Sequence, residues 1–336
     1  MKEDRISLAH GGGGSLTKKL IEEIFLPPFK NPILKVLDDS AVFKIEKGRM
    51  AFSTDSYVVN PIFFPGGDIG KLAICGTVND LAMSGAKPLY LSASLIIEEG
   101  FLLKDLKRII TSMKEASEEA GIKIVAGDTK VVNKGSADKI FITTTGIGII
   151  EEGIDISGAN AKVGDVVIVN GYLGDHGIAI ISERERLDFR TKLISDCVPL
   201  NHLVTDMLKV SNGIHVLRDP TRGGLVTVLN EIAQSSGVGI EIFEDKIPIR
   251  EEVKGACEML GYDPLYVANE GKLVTFVAPK EALKVLKALH KNKYGKDAKI
   301  IGRVVKKPEE TVILRTQIGG SRILDMLVGE QLPRIC

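Results

Sequence analysis

Carboxylates gathered near the ends of β-like segments are the first chemistry visible in this chain. Asp38 and Asp39 precede the apolar run Ala41-Val42-Phe43, and Asp55 closes Met50-Ala51-Phe52-Ser53-Thr54. Asp128 follows Ile122–Gly127, and Asp80, beside Asn79, falls in a segment of helical pattern. Neighbouring strands sit about 4.8 Å apart, so aspartates at adjacent strand ends can converge. Carboxylates held together repel unless a cation stands between them, and Mg²⁺ favours a few carboxylates plus phosphate oxygens. Asp38, Asp39, Asp55, Asp80 and Asp128 are therefore candidate metal ligands, and Lys130 is spaced to meet a polyphosphate. The same residue types also form ordinary turns and strand ends.

Three further features carry chemistry. Arg218-Asp219-Pro220-Thr221-Arg222-Gly223-Gly224 leads into a helix near Leu225, and a glycine pair with an arginine at a helix N-terminus suits an anion. Asn269-Glu270-Gly271 precedes an apolar strand, which makes Glu270 a candidate proton acceptor or a turn residue. His10 is followed by Gly11, Gly12, Gly13 and Gly14 ahead of a helical segment. Such a run either wraps a phosphate with free N–H groups or serves as a linker. At the far end stands Cys336, seven residues beyond Gly329. Extended, that segment spans up to ~25 Å, enough for a thiol to swing into a cleft.

These groups need elements to position them. The pattern predicts a helix over 16–25, closed by Pro27 and Pro28, and a hairpin of 41–46 with 50–55. It then predicts helices over 70–84 and 102–120, with strands over 89–97, 122–127 and 139–150. A polar, glycine-bearing stretch at 157–164 marks a boundary. Beyond it come strands at 166–169, 239–242, 273–277 and 299–304, and helices at 223–235, 250–260 and 281–291. Lys280, Lys284, Lys287, Lys291 and Lys293 read as a solvated face. The hairpin excludes a purely parallel sheet, so the expectation is a mixed α/β fold. It divides into an N-terminal domain over 1–156, a C-terminal domain over 157–321 and a mobile tail over 322–336.

Composition narrows the function classes. A chain of 336 residues accommodates two domains. Forty-four basic residues balance forty-four acidic ones, which argues against nucleic-acid binding by bulk charge and against a polybasic membrane binder. Hydrophobic residues make up 44% and charged residues 26%, as in a globular protein. No apolar run approaches the ~18 residues of a membrane span, and the first fifteen residues lack the apolar core of a leader. Cys75, Cys197, Cys257 and Cys336 are widely spaced with no CxxC, so a reducing cytoplasm is expected.

Taken together, Thr54-Asp55-Ser56-Tyr57-Val58-Val59, Phe64-Pro65-Gly66-Gly67-Asp68-Ile69-Gly70 and Gly76-Thr77-Val78-Asn79-Asp80-Leu81-Ala82-Met83-Ser84-Gly85-Ala86 resemble the aminoimidazole ribonucleotide synthetase (PurM)-like superfamily. So do Gly127-Asp128-Thr129-Lys130 and Asp219-Pro220-Thr221-Arg222-Gly223-Gly224. The His-Gly-Gly-Gly-Gly start and the Pro-Arg-Ile-Cys end narrow the resemblance to the hydrogenase maturation factors of the HypE type. The resemblance implies a homodimer whose N-terminal sheets pair into a barrel, with ATP and Mg²⁺ bound in a cleft between the domains. It implies a reaction in which a carbamoyltransferase, HypF, loads a carbamoyl group on the terminal thiol. ATP then drives dehydration to a thiocyanate, and the cyano group passes to iron on a HypC–HypD complex. Carried onto this chain, the catalytic residues are Cys336, Lys130 and Glu270. The nucleotide and tail surroundings are His10, Gly11 to Gly14, Asp55, Asn79, Asp80, Asp128, Asp219, Thr221 and Arg222. A small-molecule kinase or selenophosphate-synthetase-type enzyme on the same scaffold is the competing reading, and a carrier that only relays a group is a third.

Overall fold

The computed structural model describes residues 14–20, 22–23, 36–45, 48–187, 193–327, 329 and 332–336. A short helix α1 (Ser15–Leu20) leads to β1 (Ala41–Ile45) and β2 (Gly48–Tyr57), then the small strands β3 (Phe63–Phe64) and β4 (Gly67–Asp68). Helix α2 (Ile69–Met83), β5 (Lys87–Glu98), α3 (Leu103–Ala120), β6 (Lys123–Val132) and β7 (Ile140–Ile150) complete the first half. The second half runs β8 (Val166–Val169), α4 (Asp175–Arg184), α5 (Asn201–Val210), β9 (Ile214–Arg218), α6 (Gly224–Ser236), β10 (Gly239–Phe243) and α7 (Glu251–Leu260). It ends with β11 (Val274–Val277), α8 (Pro279–Lys291), β12 (Lys299–Val305), β13 (Val312–Arg315) and β14 (Ser321–Ile323). The mixed α/β expectation holds, and so does the hairpin, with Ala41 opposite Phe52 and Val42 opposite Ala51. The helix expected to run to residue 25 is described only over Ser15–Leu20, and its proline stop lies outside the described residues. Helices α4 and α5 and strands β9, β13 and β14 have no counterpart in the sequence reading. Among the described residues, no helix is long and apolar enough to cross a membrane.

Two sheets organise the molecule. The first has the order β1-β2-β7-β5-β6, antiparallel except for the parallel β5–β6 pair. The second has the order β14-β13-β10-β12-β8-β11-β9. Strand alternation gives each sheet two chemically different faces. In β5, Leu91, Ala93, Leu95 and Ile97 are buried and share a core with Ile74 and Val78 of α2 and Ile109 and Met113 of α3. Their neighbours Tyr90 and Ile96, with Phe52 of β2, face outward and stay exposed.

Helix α2 is the beam under the first sheet. Asp68 caps it, accepting hydrogen bonds from the Gly70 and Lys71 N–H groups at 2.9 and 3.0 Å. The close approach of α2 to β2 depends on Gly76, where an added Cβ would meet the Tyr57 hydroxyl at 2.3 Å. The same helix ties the halves together through Asn79, which is almost fully buried. Its Oδ1 accepts from the Leu200 N–H at 2.7 Å, and its Nδ2 donates to the carbonyls of Val198 and Glu270 at 3.1 and 3.3 Å. Removing that amide leaves three buried backbone groups short of a partner. Asn79→Ala is expected to lower stability by about 2–4 kcal/mol, read as a drop in the urea midpoint.

Candidate active site

Strand alternation decides which predicted acids meet. Ser53, Asp55 and Tyr57 share the face of β2 that looks toward α2. Asp80 points to the same side, its carboxylate accepting from the Ser53 hydroxyl at 2.7 Å. Asp39, just before β1, pairs with Arg218 at 2.5 Å, and Arg218 also reaches Glu231 at 2.7 Å. Asp219 follows Arg218 at the end of β9 and is buried. Glu270 approaches from the loop before β11, buried, with its Oε1 lacking any hydrogen-bond partner. Its backbone N–H donates to Asp196, whose other oxygen accepts from Lys272 at 2.8 Å.

The electrostatics of this centre are unbalanced. Burial raises the Asp80 carboxyl well above the usual range, and Asp219, Asp55 and Asp39 push it further the same way. Burial also raises Asp39 well above the ordinary carboxylate value despite Arg218. Asp55 is raised by burial, with Arg222 pulling the other way. Asp219 is pushed up to about 6, chiefly by burial. Glu270 is raised well above its ordinary value by burial, then by Cys197, Asp219, Asp196 and Asp55. Tyr57, hydrogen-bonded to Thr77, is raised by burial and by Asp55, Asp80 and Glu270. Five acids thus feel one another across the junction of the two halves. Arg218 is the cation most directly engaged, and burial opposes its charge while Asp39 and Glu231 sustain it.

This donor set suits a hard cation, because it offers carboxylate oxygens whose mutual repulsion a divalent ion relieves. Among the described residues, no three acids already stand close enough to grip one. Gly14, Lys18, Asp38 and Arg218 line an adjoining cavity of about 490 Å³. Asp38 is occupied there, accepting from the Ser157 hydroxyl at 2.6 Å and the Gly158 N–H at 3.0 Å. Gly223 and Gly224 adopt positive φ values of 75° and 62°, which lets the chain turn from Asp219 straight into α6. Thr221 is half-buried in that turn, and Arg222 is exposed.

Other assignments read differently in three dimensions. Asp128 does not close a strand but lies inside β6, opposite Ser94, and Lys130 lies opposite Ile96. That register puts both on the outward face of the sheet, away from Asp55 and Asp80, because alternation assigns every second residue to the other side. Asp128 is exposed and pairs with Lys130 at 2.9 Å. That bond, chiefly, lowers its titration. The Asn79 amide is spent on the contacts between the halves rather than open to a ligand. His10, Gly11, Gly12 and Gly13 lie outside the described residues.

Cys336 is half-buried against the core that contains Cys75, Cys197 and Val267. Its carbonyl accepts from the Val58 N–H at 3.1 Å, one residue past Tyr57. The tail expected to be mobile is therefore seated against this core, at the end of β2, in this structure. Tyr57, the Asp196–Lys272 pair and the α4 residues His176 and Arg184 were not singled out from sequence. The sequence signals were acidic spacing, polar clusters beside glycines and the terminal thiol, and these groups carry none of them.

An acid-lined junction between two such α/β halves defines the class. Residues 37–150 match the family model described as AIR synthase related protein, N-terminal domain, and residues 162–315 match the C-terminal domain. Within the class, the carbamoyl dehydratase HypE of Cupriavidus necator is 52% identical over 337 residues, spanning 100% of this chain and 96% of that protein. The crystal structure of a HypE–HypF complex superposes with a TM-score of 0.88 at 53% identity, covering 92% of this chain and 99% of that one. HypE in complex with ATP gives 0.84 at 47% identity, covering 98% and 100%. The chain belongs to the HypE family.

The raised acids make a thermodynamic prediction. A carboxyl raised on folding lends stability that is full below its unfolded value near 4 and lost as pH climbs through its folded value. For Asp219 that loss is complete above about 6. Without divalent cations, Asp219→Asn is expected to stabilise the protein at pH 7.5 by about 2 kcal/mol, and to do little at pH 4.5, where the wild-type carboxyl is already protonated. Denaturant melts at the two pH values measure the difference.

Proposed function

We propose that this chain is an ATP-dependent carbamoyl dehydratase of [NiFe]-hydrogenase maturation whose substrate is the S-carbamoyl group on its own Cys336. The observation that carries the reading is the position of Cys336, docked on the Val58 N–H one residue past Tyr57, whose hydroxyl is influenced by Asp55, Asp80 and Glu270, in a chain of the HypE family. An amide oxygen is a poor leaving group. Transfer of the ATP γ-phosphate to the carbamoyl oxygen, with loss of one N–H proton, gives an S-linked imidoyl phosphate and ADP. Removal of the remaining N–H proton, with cleavage of the C–O bond, expels phosphate and leaves the thiocyanate. Atoms balance as S-carbamoyl plus ATP giving S-cyano, ADP, phosphate and a proton.

Glu270 is the proposed proton acceptor. Its buried, unpartnered Oε1 and raised titration make it a stronger base than a solvated carboxylate. Phosphoryl transfer rests on positioning and on charge stabilisation. Asp39, Asp55, Asp80 and Asp219 are proposed to hold Mg²⁺ on the polyphosphate, with Asp38 in the adjoining wall. Bound there, Mg²⁺ would neutralise and orient the phosphates. Gly14 and the preceding glycines, with Thr221 and Arg222, complete the nucleotide surroundings. The proposed partners are a HypF-type carbamoyltransferase that loads Cys336 and a HypC–HypD-type complex that receives the cyano group, all in the cytoplasm.

The reading includes a homodimer. Among the described residues, the outward face of the first sheet exposes Phe52, Tyr90 and Ile96, and its edge strand β6 exposes Val125 and Val131. A long, apolar, unpaired edge is a template for a second chain. Lys130 and Asp128, on that same face, then act across the interface, with Lys130 facing the transferring phosphate of a neighbouring site.

Two tests follow from this reading. Incubation with carbamoyl phosphate, the carbamoyltransferase and ATP is expected to give a terminal peptide first heavier by a carbamoyl group, then lighter by one water only when ATP is present. Asp80→Asn stops the second step and spares the first, whereas Cys336→Ala abolishes both. Normal dehydration by Asp80→Asn would remove the metal assignment. Separately, light scattering on the eluting protein is expected to give a dimer for the wild type and a monomer for Val131→Glu. A monomeric wild type would rule out the shared interface.

A further inference from the structure

The final residues are held by a set of contacts that the proposed chemistry does not use. Leu332 and Ile335 are buried in a core built from both halves, with Ile178 of α4 and Val267 among its members. Arg184, at the end of α4, donates three hydrogen bonds to backbone carbonyls. Nε reaches Asn60, Nη1 reaches Pro333 and Nη2 reaches Arg334, each at 2.8 Å. His176, two turns earlier on the same helix, lies with Nε2 2.9 Å from the Ile335 carbonyl and Nδ1 2.8 Å from the Ser195 hydroxyl. A carbonyl only accepts, so Nε2 carries the proton and Nδ1 accepts from Ser195. Burial, which disfavours the imidazolium, keeps the ring in that neutral form.

The strand side completes the seat. The Val58 and Asn60 N–H groups donate to the carbonyls of Cys336 and Arg334, both at 3.1 Å. The Arg334 side chain returns a bond from Nε to the Val58 carbonyl at 2.8 Å and pairs with Asp138 at 2.5 Å. Three successive carbonyls, of Pro333, Arg334 and Ile335, are thus read from one helix face. A guanidinium serves several acceptors in a fixed fork, which a lysine cannot reproduce.

We infer that Arg184 and His176 form a seat for the tail backbone that sets the fraction of time Cys336 spends inside the cleft. They are positioning residues, since they act on main-chain carbonyls and not on the reacting group. The consequence for turnover rests on the proposed dehydratase reading, whereas the seat itself rests on the contacts above.

Alkylation of the full-length protein by iodoacetamide, without nucleotide or partner, separates the two. Cys75, Cys197 and Cys257 are buried and act as internal controls. Adducts are assigned by mass spectrometry of the cysteine peptides. Arg184→Met keeps the aliphatic stem and removes all three donors, and it is expected to speed Cys336 alkylation by at least about tenfold. Arg184→Lys recovers part of the protection, and Asp138→Asn, which loosens only Arg334, gives a smaller rise. Dehydration of the carbamoylated tail slows in Arg184→Met through kcat, with the KM for ATP unchanged. Unchanged Cys336 alkylation in Arg184→Met overturns the inference, and so does an equal rise at all four cysteines. A wild type that shows protected Cys336 but never dehydrates its tail counts against the proposed function and leaves the seat standing.

Discussion

Buried negative charge that the protein does not itself neutralise is the constraint around which this molecule is arranged. Asp39, Asp55, Asp80, Asp219 and Glu270 are all pushed toward their neutral forms, and burial is the first cause in each case. Burying a carboxylate without a full partner costs several kcal/mol, so such a cluster survives only where surrounding packing holds it. Here the packing is supplied by α2, capped by Asp68, pressed against β2 at Gly76 and tied to the other half by Asn79. The strain is local and the support is distributed. On the proposed reading, a cation carried in with a polyphosphate would relieve it.

The tail complements that charge distribution. A thiolate is a poor tenant among buried carboxylates, because nearby negative charge and desolvation both favour the thiol. Cys197, buried in the same region, shows this: its thiol is raised first by the bond to Cys75, then by burial. A neutral carbamoyl group on sulfur meets no such penalty. On the proposed reading, loading of Cys336, which needs a nucleophilic sulfur, is better done away from the cleft, and dehydration, which needs phosphate, cation and base, inside it. On the proposed reading, a tail held through its backbone carbonyls reconciles the two environments.

Much of this was legible in the sequence. Asp39, Asp55 and Asp80 stood out by spacing, and strand alternation then carried Asp55 to the side of β2 where Asp80 of α2 meets it. Asp219 and Glu270 stood out beside glycines, where close backbone approach is expected. What stayed hidden was mostly a matter of partners far away in the chain. Asn79 bonds to residues 198, 200 and 270, and Arg184 to residues 60, 333 and 334, and no local pattern encodes such pairs. Helix α4 escaped notice because seven of its ten residues are buried, which blurs the amphipathic period, and α5 because ten residues offer few repeats of that period.

Asp128 and Lys130 show how a correct element can still mislead about a site. The strand was found, but its extent was not: it continues through Val132, and its register with β5 puts both side chains opposite Ser94 and Ile96. A single-residue change of register would have turned them toward Asp80 instead. In one chain they therefore serve the outward face. That face is apolar at Phe52, Tyr90 and Ile96 and, among the described residues, is left exposed there, whereas the inward face is sealed by α2 and α3. An ion pair on an uncovered apolar surface gains little from water-screened attraction and gains more once a second sheet excludes the water. The same argument that removes these two residues from the cleft of their own chain gives them a reason to stand at the boundary with another.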